Sequence, residues 1–354
     1  MKVYAVTGGA GFIGERVVVE LLEREPDVAE IRVIDIKWSK KVKSDRIGVC
    51  YIQCDVTDTR ALAGHLQGVS VLFHVAGLVD VFGRHTREEL MHANVFGAES
   101  VISACVIAGV KHLVYTSSME VVGPNSRYEP FVGNEESEYP RSPSSCYACT
   151  KALAEQTILR ANGRRVSGGG TLRTIALRPT GVYGENDHMM TRLLRRYISL
   201  GRSIPRTICP DACHSRVYVG NVAWMHIVAA RRLQGDSCSV SGRVYFCYDG
   251  TPAYNYEEFN VKLMRGVGVS FSGRTIPYWV LCVLARVNHA VTVLTRMFLR
   301  RPVTFTLNPH TLCVANTTFM VCTQKAGQDL DYSPIYSWEE SSTRTMAWLQ
   351  RLAM

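Results

Sequence analysis

The chain has 354 residues, 47% hydrophobic and 20% charged, which excludes intrinsic disorder, a collagen-like repeat and a disulfide miniprotein and predicts roughly two domains. With 40 Lys and Arg against 31 Asp and Glu, the formal charge is +9. An anionic partner is expected, be it a phosphate, a membrane surface or a nucleic acid, and charge alone does not choose among them.

From the N-terminus, short Val/Ile/Leu-rich runs alternate with longer helical stretches, the pattern of a parallel sheet covered on both faces. Strands are expected over 2–7, 30–36, 49–54, 69–75, 112–117 and 171–177. Helices are expected over 12–24, 57–66, 87–108 and 146–161. This β-α-β-α order predicts an α/β fold of Rossmann type, a doubly wound parallel sheet with a smaller C-terminal substrate-binding region. The expected division is 1–185 for cofactor and 186–354 mainly for substrate, with segments near 215–247 returning to the first part. Beyond Pro179 the pattern is irregular, with turns at 201–210 and 235–242, until an amphipathic helix over 337–352.

The 12 cysteines are neither dense nor regularly spaced, so a reducing compartment is expected. The run from Val3 to Val6 reaches glycines too soon to form a secretory leader, and an intracellular protein is expected rather than a secreted one. Cys146/Cys149 and Cys209/Cys213 have zinc-compatible spacings, but the pairs are unlike one another. No metal is expected.

Gly8-Gly9-Ala10-Gly11-Phe12-Ile13-Gly14 follows the first strand and opens the first helix. Glycines there permit the tight turn, admit a pyrophosphate to the helix N-terminus and let helix approach strand. Gly8, Gly11, Phe12, Ile13 and Gly14 are therefore candidate dinucleotide-binding residues. Asp35 ends the second strand about 20 residues further on, where a carboxylate accepts hydrogen bonds from the ribose hydroxyls and repels a 2′-phosphate. NAD is the expected cofactor, although Lys37, Lys40, Lys41 and Lys43 soften that preference unless they are a solvated loop. Asp55, at the end of the third strand, is a candidate adenine contact or part of a helix cap.

Tyr147 and Lys151 stand four apart on a predicted helix and so share a face. Free tyrosine has a pKa near 10, so a basic role near neutrality requires nearby positive charge, which Lys151 and an oxidised nicotinamide would supply. Ser118, in Tyr115-Thr116-Ser117-Ser118 at the end of the fifth strand, is placed to hydrogen-bond a substrate oxygen. Asn94 is a candidate to hold a proton-relaying water behind Lys151, or else a helix-interior hydrogen-bonder.

Together these motifs resemble the extended short-chain dehydrogenase/reductases. Longer strings are similar to 3β-hydroxysteroid dehydrogenase/Δ5→4-isomerase: Asp80-Val81-Phe82-Gly83, Tyr115 to Ser126, Ala176-Leu177-Arg178-Pro179, Val217 to Trp224 and Tyr336-Ser337-Trp338-Glu339-Glu340. That family includes vertebrate steroidogenic enzymes and versions carried by poxviruses, and the compact N-terminus suits a viral version. The resemblance implies that NAD takes the 3-hydride of a Δ5-3β-hydroxysteroid while Tyr147 takes the hydroxyl proton, assisted by Lys151 and Ser118. It implies Pro179 as a further cofactor contact. The double bond then moves from Δ5 to Δ4, for which Tyr245 and Asp249 occupy the region where an acid/base pair is sought. Two departures stand out: His74-Val75-Ala76-Gly77 is nearer the general dehydrogenase pattern, and Cys146 stands where proline is expected.

From 276 to 301 the chain is rich in apolar residues, with Arg286, His289, Thr292 and Arg296 forming a polar stripe. The pattern predicts an interfacial helix in which Trp279, Leu281, Leu284 and Phe298 enter the lipid boundary and Arg296, Arg300 and Arg301 meet anionic headgroups, or else a core helix. A homodimer is a further expectation. The enzyme alternative is a nucleotide-sugar epimerase or dehydratase, for which Arg192, Arg195, Arg196 and Arg206 would bind diphosphate. A non-catalytic dinucleotide-sensing regulator is the alternative of another class. No nucleic-acid partner is expected, since the basic residues are scattered.

Overall fold

The computed structural model describes residues 2–38, 41–235, 238–299 and 303–354. Lys40, Arg300, Arg301 and the side chain of Arg296 lie outside the described residues. Strand β1 (Lys2–Thr7) turns through the glycines into α1 (Phe12–Arg24), followed by β2 (Val28–Asp35) and β3 (Gly48–Gln53). Helix α2 (Thr59–His65), capped by Asp58, leads to β4 (Val71–His74). A capping box between Thr86 and Glu89 opens α3 (Arg87–Leu90), which continues through a π-helical turn, Met91–Phe96, into α4 (Gly97–Ala108). Gly109 at φ 78° stops that helix, because the left-handed conformation carries little strain for glycine. Next come β5 (His112–Thr116), β6 (Phe131–Gly133), α5 (Cys146–Arg160), β7 (Arg173–Pro179) and β8 (Gly181–Tyr183).

The second half comprises α6 (His188–Ser199), β9 (Ser203–Arg206), β10 (Arg216–Tyr218), α7 (Val219–Gln234), β11 (Arg243–Cys247), α8 (Tyr256–Met264) and β12 (Ser270–Thr275). It ends in α9 (Tyr278–Phe298), α10 (Pro309–Ala315), β13 (Phe319–Val321), α11 (Lys325–Leu330) and α12 (Trp338–Ala353). The expected turn at 201–210 contains β9, which pairs with β12, a partner too distant in sequence for local pattern to reveal.

Seven strands form one parallel sheet in the order β11-β7-β5-β4-β1-β2-β3. Helices α1 and α7 cover one face, burying Val17, Val18 and Leu21 with Val222, Met225 and Leu233. The other face is covered by α2, α4 and α5 through Leu62, Val101, Ile102, Ala154 and Ile158. Burial on both faces explains why the strands read as continuous apolar runs. Within 216–247, α7 packs on α1 and β11 is an edge strand of the sheet. A separate cluster of Leu194, Tyr197, Phe259, Leu263, Trp348 and Leu349 joins α6, α8 and α12.

One ion pair ties α5 to β7. Arg178 donates from Nε and Nη2 to Glu155, at 2.7 Å for the shortest contact, and the side chains are 2% and 0% exposed. The Tyr139 hydroxyl donates to the same carboxylate at 2.7 Å. Replacing Glu155 by leucine strands a buried guanidinium, so the Glu155→Leu variant should lose about 3–5 kcal/mol of stability, read from the urea unfolding midpoint. A loss under about 1 kcal/mol would show that the pair is energetically neutral.

Candidate active site

The carboxyl ends of β1 and β4 meet where the strand order reverses, the crevice in which open α/β sheets bind ligands. Gly8 has φ 66°, and a Cβ there would lie 2.7 Å from the backbone of Ala76; a Cβ on Gly14 would lie 2.1 Å from the Gly8 carbonyl oxygen. Neither position accepts a side chain, so α1 begins hard against β1. Its N-cap is Gly11, with no capping side chain, which leaves the first-turn N–H groups of α1 free for an anion. Asp35 accepts from the Ala10 amide at 3.1 Å, holding its carboxylate beside this turn. Such a cradle fits a dinucleotide pyrophosphate, with Gly11, Phe12 and Ile13 around the phosphates and Asp35 toward the ribose. Asp55 is exposed and accepts from the amide and hydroxyl of Thr57 at 2.9 and 2.8 Å. The cap of α2 is Asp58 instead. Pro179 is buried at the carboxyl end of β7.

Ser145 caps α5 by accepting from Ala148 at 3.0 Å, which places Tyr147 in the first turn and Lys151 one turn on. Both are buried, at 6% and 5% exposure. The Lys151 ammonium donates to the Thr116 carbonyl at 2.7 Å and lies 4.4 Å from the Tyr115 ring centroid. Burial lowers its pKa to about 7, with Glu155 opposing the shift. Burial pushes the Tyr147 phenol well above its ordinary value; Glu120 adds to that shift, and a hydrogen bond with Ser118 draws the phenol down. Ser118 Oγ accepts the Glu120 amide at 3.2 Å, leaving its own O–H to donate. Tyr147, Lys151 and Ser118 are thus brought together by one strand end and one helix face.

Glu120, two residues beyond Ser118, was not singled out by the sequence reasoning. Burial and the nearby Asp80 carboxylate raise its pKa to about 7. Asp80 is 5% exposed and accepts from the amides of Phe82, Arg84 and His85 at 3.2, 2.9 and 2.8 Å. A carboxyl poised near neutrality beside a buried tyrosine has the properties of a proton-transfer group. Its only sequence signal was its place in Ser118-Met119-Glu120, where an acidic residue in a short helical turn also reads as a surface group.

Several expected site residues lie elsewhere. Tyr245 donates to Asp329 at 2.9 Å and packs in the α1–α7 layer, whereas its neighbour Phe246 faces Met119 and Ala152; alternation along the strand turns Tyr245 away from Tyr147. Asp249 accepts from the Tyr218 amide, the Asn221 side chain and the Thr251 amide at 2.8, 2.9 and 2.9 Å, so it organises the start of α7 rather than presenting a free base. Asn94 accepts from the Leu78 amide at 2.8 Å and donates to the Leu78 carbonyl and Thr150 hydroxyl, both at 3.1 Å. Its amide stitches the Leu78 turn to α5, which is the helix-interior role, and its oxygen lies beside Lys151 at Gly77. Of the arginines considered for a diphosphate, Arg192, Arg195 and Arg196 are exposed on α6 and Arg206 pairs with Glu258 at 3.0 Å. They do not converge on a site.

Helix α9 departs from the core-helix reading. Trp279 is 70% exposed and Phe298 80%, with Val283, Leu284 and Val287 also exposed. Leu281, expected at a lipid boundary, instead is buried with Ala285 and Leu312 against α10. The predicted polar stripe is divided: Arg286 and His289 are exposed, while Thr292 is half-buried and donates to the Asn288 carbonyl at 3.0 Å. Among the described residues, two helices are long and apolar enough to cross a membrane, Arg87–Ala108 and Tyr278–Thr295, but the first is 56% buried and the second 11%.

Solved structures with this fold include MoeE5 in complex with UDP-glucuronic acid and NAD, at 23% identity and TM-score 0.68 over 99% of both chains. They also include DesIV from Streptomyces venezuelae, a dTDP-glucose 4,6-dehydratase with NAD bound, at 22% identity and TM-score 0.71 over 99% of this chain and 97% of that one. At that identity they establish the fold alone. Sequence relatives are much nearer. The chain is 48% identical to 3 beta-hydroxysteroid dehydrogenase type 7 of Homo sapiens over 98% of its length and 95% of that protein. It is 44% identical to the 3 beta-hydroxysteroid dehydrogenase/Delta 5-->4-isomerase of Vaccinia virus over 99% of each. The 3-beta hydroxysteroid dehydrogenase/isomerase family model matches residues 5–278, and the chain belongs to that family.

Proposed function

We propose that this protein oxidises Δ5-3β-hydroxysteroids to 3-ketosteroids with NAD and moves the double bond to Δ4. The observation that supports the reading is the cluster of half-buried Ser118 with buried Tyr147 and Lys151 at the carboxyl edge of the sheet that also carries the glycine turn. NAD, when bound on the α1 turn, supplies the hydride acceptor for C3. Tyr147 accepts the hydroxyl proton as the C3–H bond breaks. Lys151, held by the Thr116 carbonyl, places positive charge one helical turn from the phenol, and the N-terminus of α5 adds to it. Ser118 donates to the substrate oxygen and orients it toward Tyr147.

Isomerisation requires a proton to leave C4 and one to be delivered to C6. We assign this to Glu120, whose carboxylate takes the C4 proton and whose acid form returns it, a cycle favoured by a pKa near neutrality. The 3-keto oxygen remains hydrogen-bonded to Ser118 and Tyr147, which stabilises the dienolate. The two carboxyls differ in environment: Asp80 accepts three backbone amides, while Glu120 is not held in this way.

The exposed apolar face of α9 is assigned to peripheral contact with the cytosolic surface of an intracellular membrane, which suits a membrane-dissolved steroid. Helix α10, packed against α9, lies beside the active-site loop, since Asn308 at its N-cap donates to the Phe82 carbonyl at 3.3 Å. A homodimer through the same face is the alternative cover.

Purified protein with NAD and a Δ5-3β-hydroxysteroid should form both NADH and a conjugated enone; turnover of a UDP-sugar without steroid oxidation would refute the reading. Tyr147→Phe should lower oxidation about 10²–10⁴-fold while NAD affinity, read by fluorescence titration, stays within about twofold. In Glu120→Gln the negative charge that raises the Tyr147 pKa is gone, so the acidic limb of the oxidation profile should move to lower pH and isomerisation should fall by about 10² or more. An unmoved limb with normal isomerisation would remove Glu120 from the mechanism. Wild-type protein should sediment with vesicles of anionic phospholipid, and the Trp279→Ser/Met297→Ser variant should not; a wild-type dimer that ignores vesicles would assign the face to a second copy.

A further inference from the structure

His226 stands in the middle of α7, in the layer where Val222, Met225 and Leu233 pack on the sheet, and it is 0% exposed. A buried imidazole is costly unless its nitrogens find partners, and both do. Nδ1 lies 2.8 Å from the Val222 carbonyl and Nε2 lies 2.7 Å from the Thr116 hydroxyl. A carbonyl oxygen only accepts, so Nδ1 carries the proton. Burial lowers the His226 pKa to about 4, which keeps the ring neutral and leaves Nε2 as an acceptor. The Thr116 hydroxyl therefore donates to His226, and its direction is fixed from the α7 side of the sheet.

Thr116 ends β5 and is also the residue that receives Lys151. The Ser117 amide donates to the Leu177 carbonyl of β7 at 2.6 Å, so alternation along the backbone turns the Thr116 carbonyl the other way, toward β4. Strand β4 ends at His74, opposite Tyr115, and the ladder stops one residue short of Thr116. That carbonyl is left to the Lys151 ammonium, at 2.7 Å. Successive side chains of β5 point to opposite faces: Tyr115 lies in the layer of α2, α4 and α5 beside Lys151, and Thr116 points to α7. One residue thus joins His226 on one face to Lys151 on the other. Lys151 also meets Glu155 and His74, whose ring packs on Tyr115 at 5.4 Å, and Tyr147 feels Glu120.

We propose that His226 is a positioning residue for the oxidation step: by accepting the Thr116 hydroxyl it sets the Thr116 carbonyl, and so the place of the Lys151 ammonium relative to Tyr147. It acts from behind the strand and takes no part in proton or hydride transfer. The inference rests on the steroid reading above. A buried hydroxyl that loses its acceptor turns to find another, and the peptide it belongs to shifts with it. The ammonium then loses compensation, and with less positive charge beside it the phenol gives up its proton only at higher pH.

The test follows steroid oxidation with NAD as a function of pH. His226→Asn keeps a donor for the Val222 carbonyl but is too short to accept from Thr116. Its kcat should fall about tenfold or more, with the steroid KM within about twofold of wild type. The acidic limb of its profile should move up by about half a pH unit or more, opposite in direction to Glu120→Gln. His226→Gln reaches Thr116 and should restore most of kcat and the position of the limb. Thr116→Val removes the same hydrogen bond from the other side, so it should reproduce the shift, and adding His226→Asn to it should change little further. Melting temperatures are read alongside. A variant that melts early with its limb unmoved makes His226 a core residue only and overturns the inference, as do additive effects of the two substitutions or a glutamine that rescues nothing. If His226→Asn does not fold, Thr116→Val carries the comparison, and an unmoved limb there overturns the inference equally. Wild-type protein inactive on every Δ5-3β-hydroxysteroid would refute the functional reading itself, a result told apart from the others because it involves no variant.

Discussion

The hydrogen bond from the Lys151 ammonium to the Thr116 carbonyl, at 2.7 Å, joins the middle of α5 to the last residue of β5. An ammonium at that depth has lost most of its hydration, and this carbonyl together with the face of Tyr115 replaces part of it. With that contact made, the rest of the site is constrained. Tyr147 must lie one turn toward the N-terminus of α5, and Ser118 must follow two residues after Thr116, so phenol and hydroxyl meet. The same constraint accounts for Gly77: a Cβ there would approach the Asn94 amide oxygen at 3.3 Å and Lys151 Nζ at 3.8 Å.

Around this contact the fold keeps two kinds of polar burial apart. Asn94 and Asp249 are satisfied by protein partners, and the Arg178–Glu155 pair is closed through Nε and Nη2 with Nη1 left over; all three hold turns, strands and helices in register. Glu120 is poorly compensated, since burial and the Asp80 carboxylate both raise its pKa and its charge bears on Tyr147. An uncompensated carboxyl reduces stability, and strain of that kind is retained where a functional site uses it. The apolar face of α9 has a similar character, since large apolar side chains there are left exposed at a cost in free energy.

Much of this was legible in the sequence because it depends on local pattern. Segments 2–7 and 12–24 match β1 and α1 to the residue, since an apolar run, a glycine turn and an amphipathic stretch leave little choice. Tyr147 and Lys151 were readable from helical spacing, and Asp35 from its position at a strand end. The rest was not local. Strand β11 is a short run whose partner β7 lies about 70 residues away. Tyr245 was misjudged because its strand's two faces meet different layers, and only packing decides which face meets α5. Asp249 before glycine carried no sign of the three donors that fold around it, and Asn94 none of the Leu78 turn it holds.

By itself the sequence determined the α/β class and the family, and it pointed to the glycine turn and the Tyr147–Lys151 spacing as the candidate site, because each rests on residue type at short spacing along one element. Only the tertiary structure decided which carboxyl stands beside Tyr147, that Arg216 is buried with two N–H groups lacking a hydrogen-bond partner, and that α9 turns its apolar side outward. Those properties arise from desolvation and from contacts between residues tens to hundreds of positions apart, and spacing along the chain does not encode them.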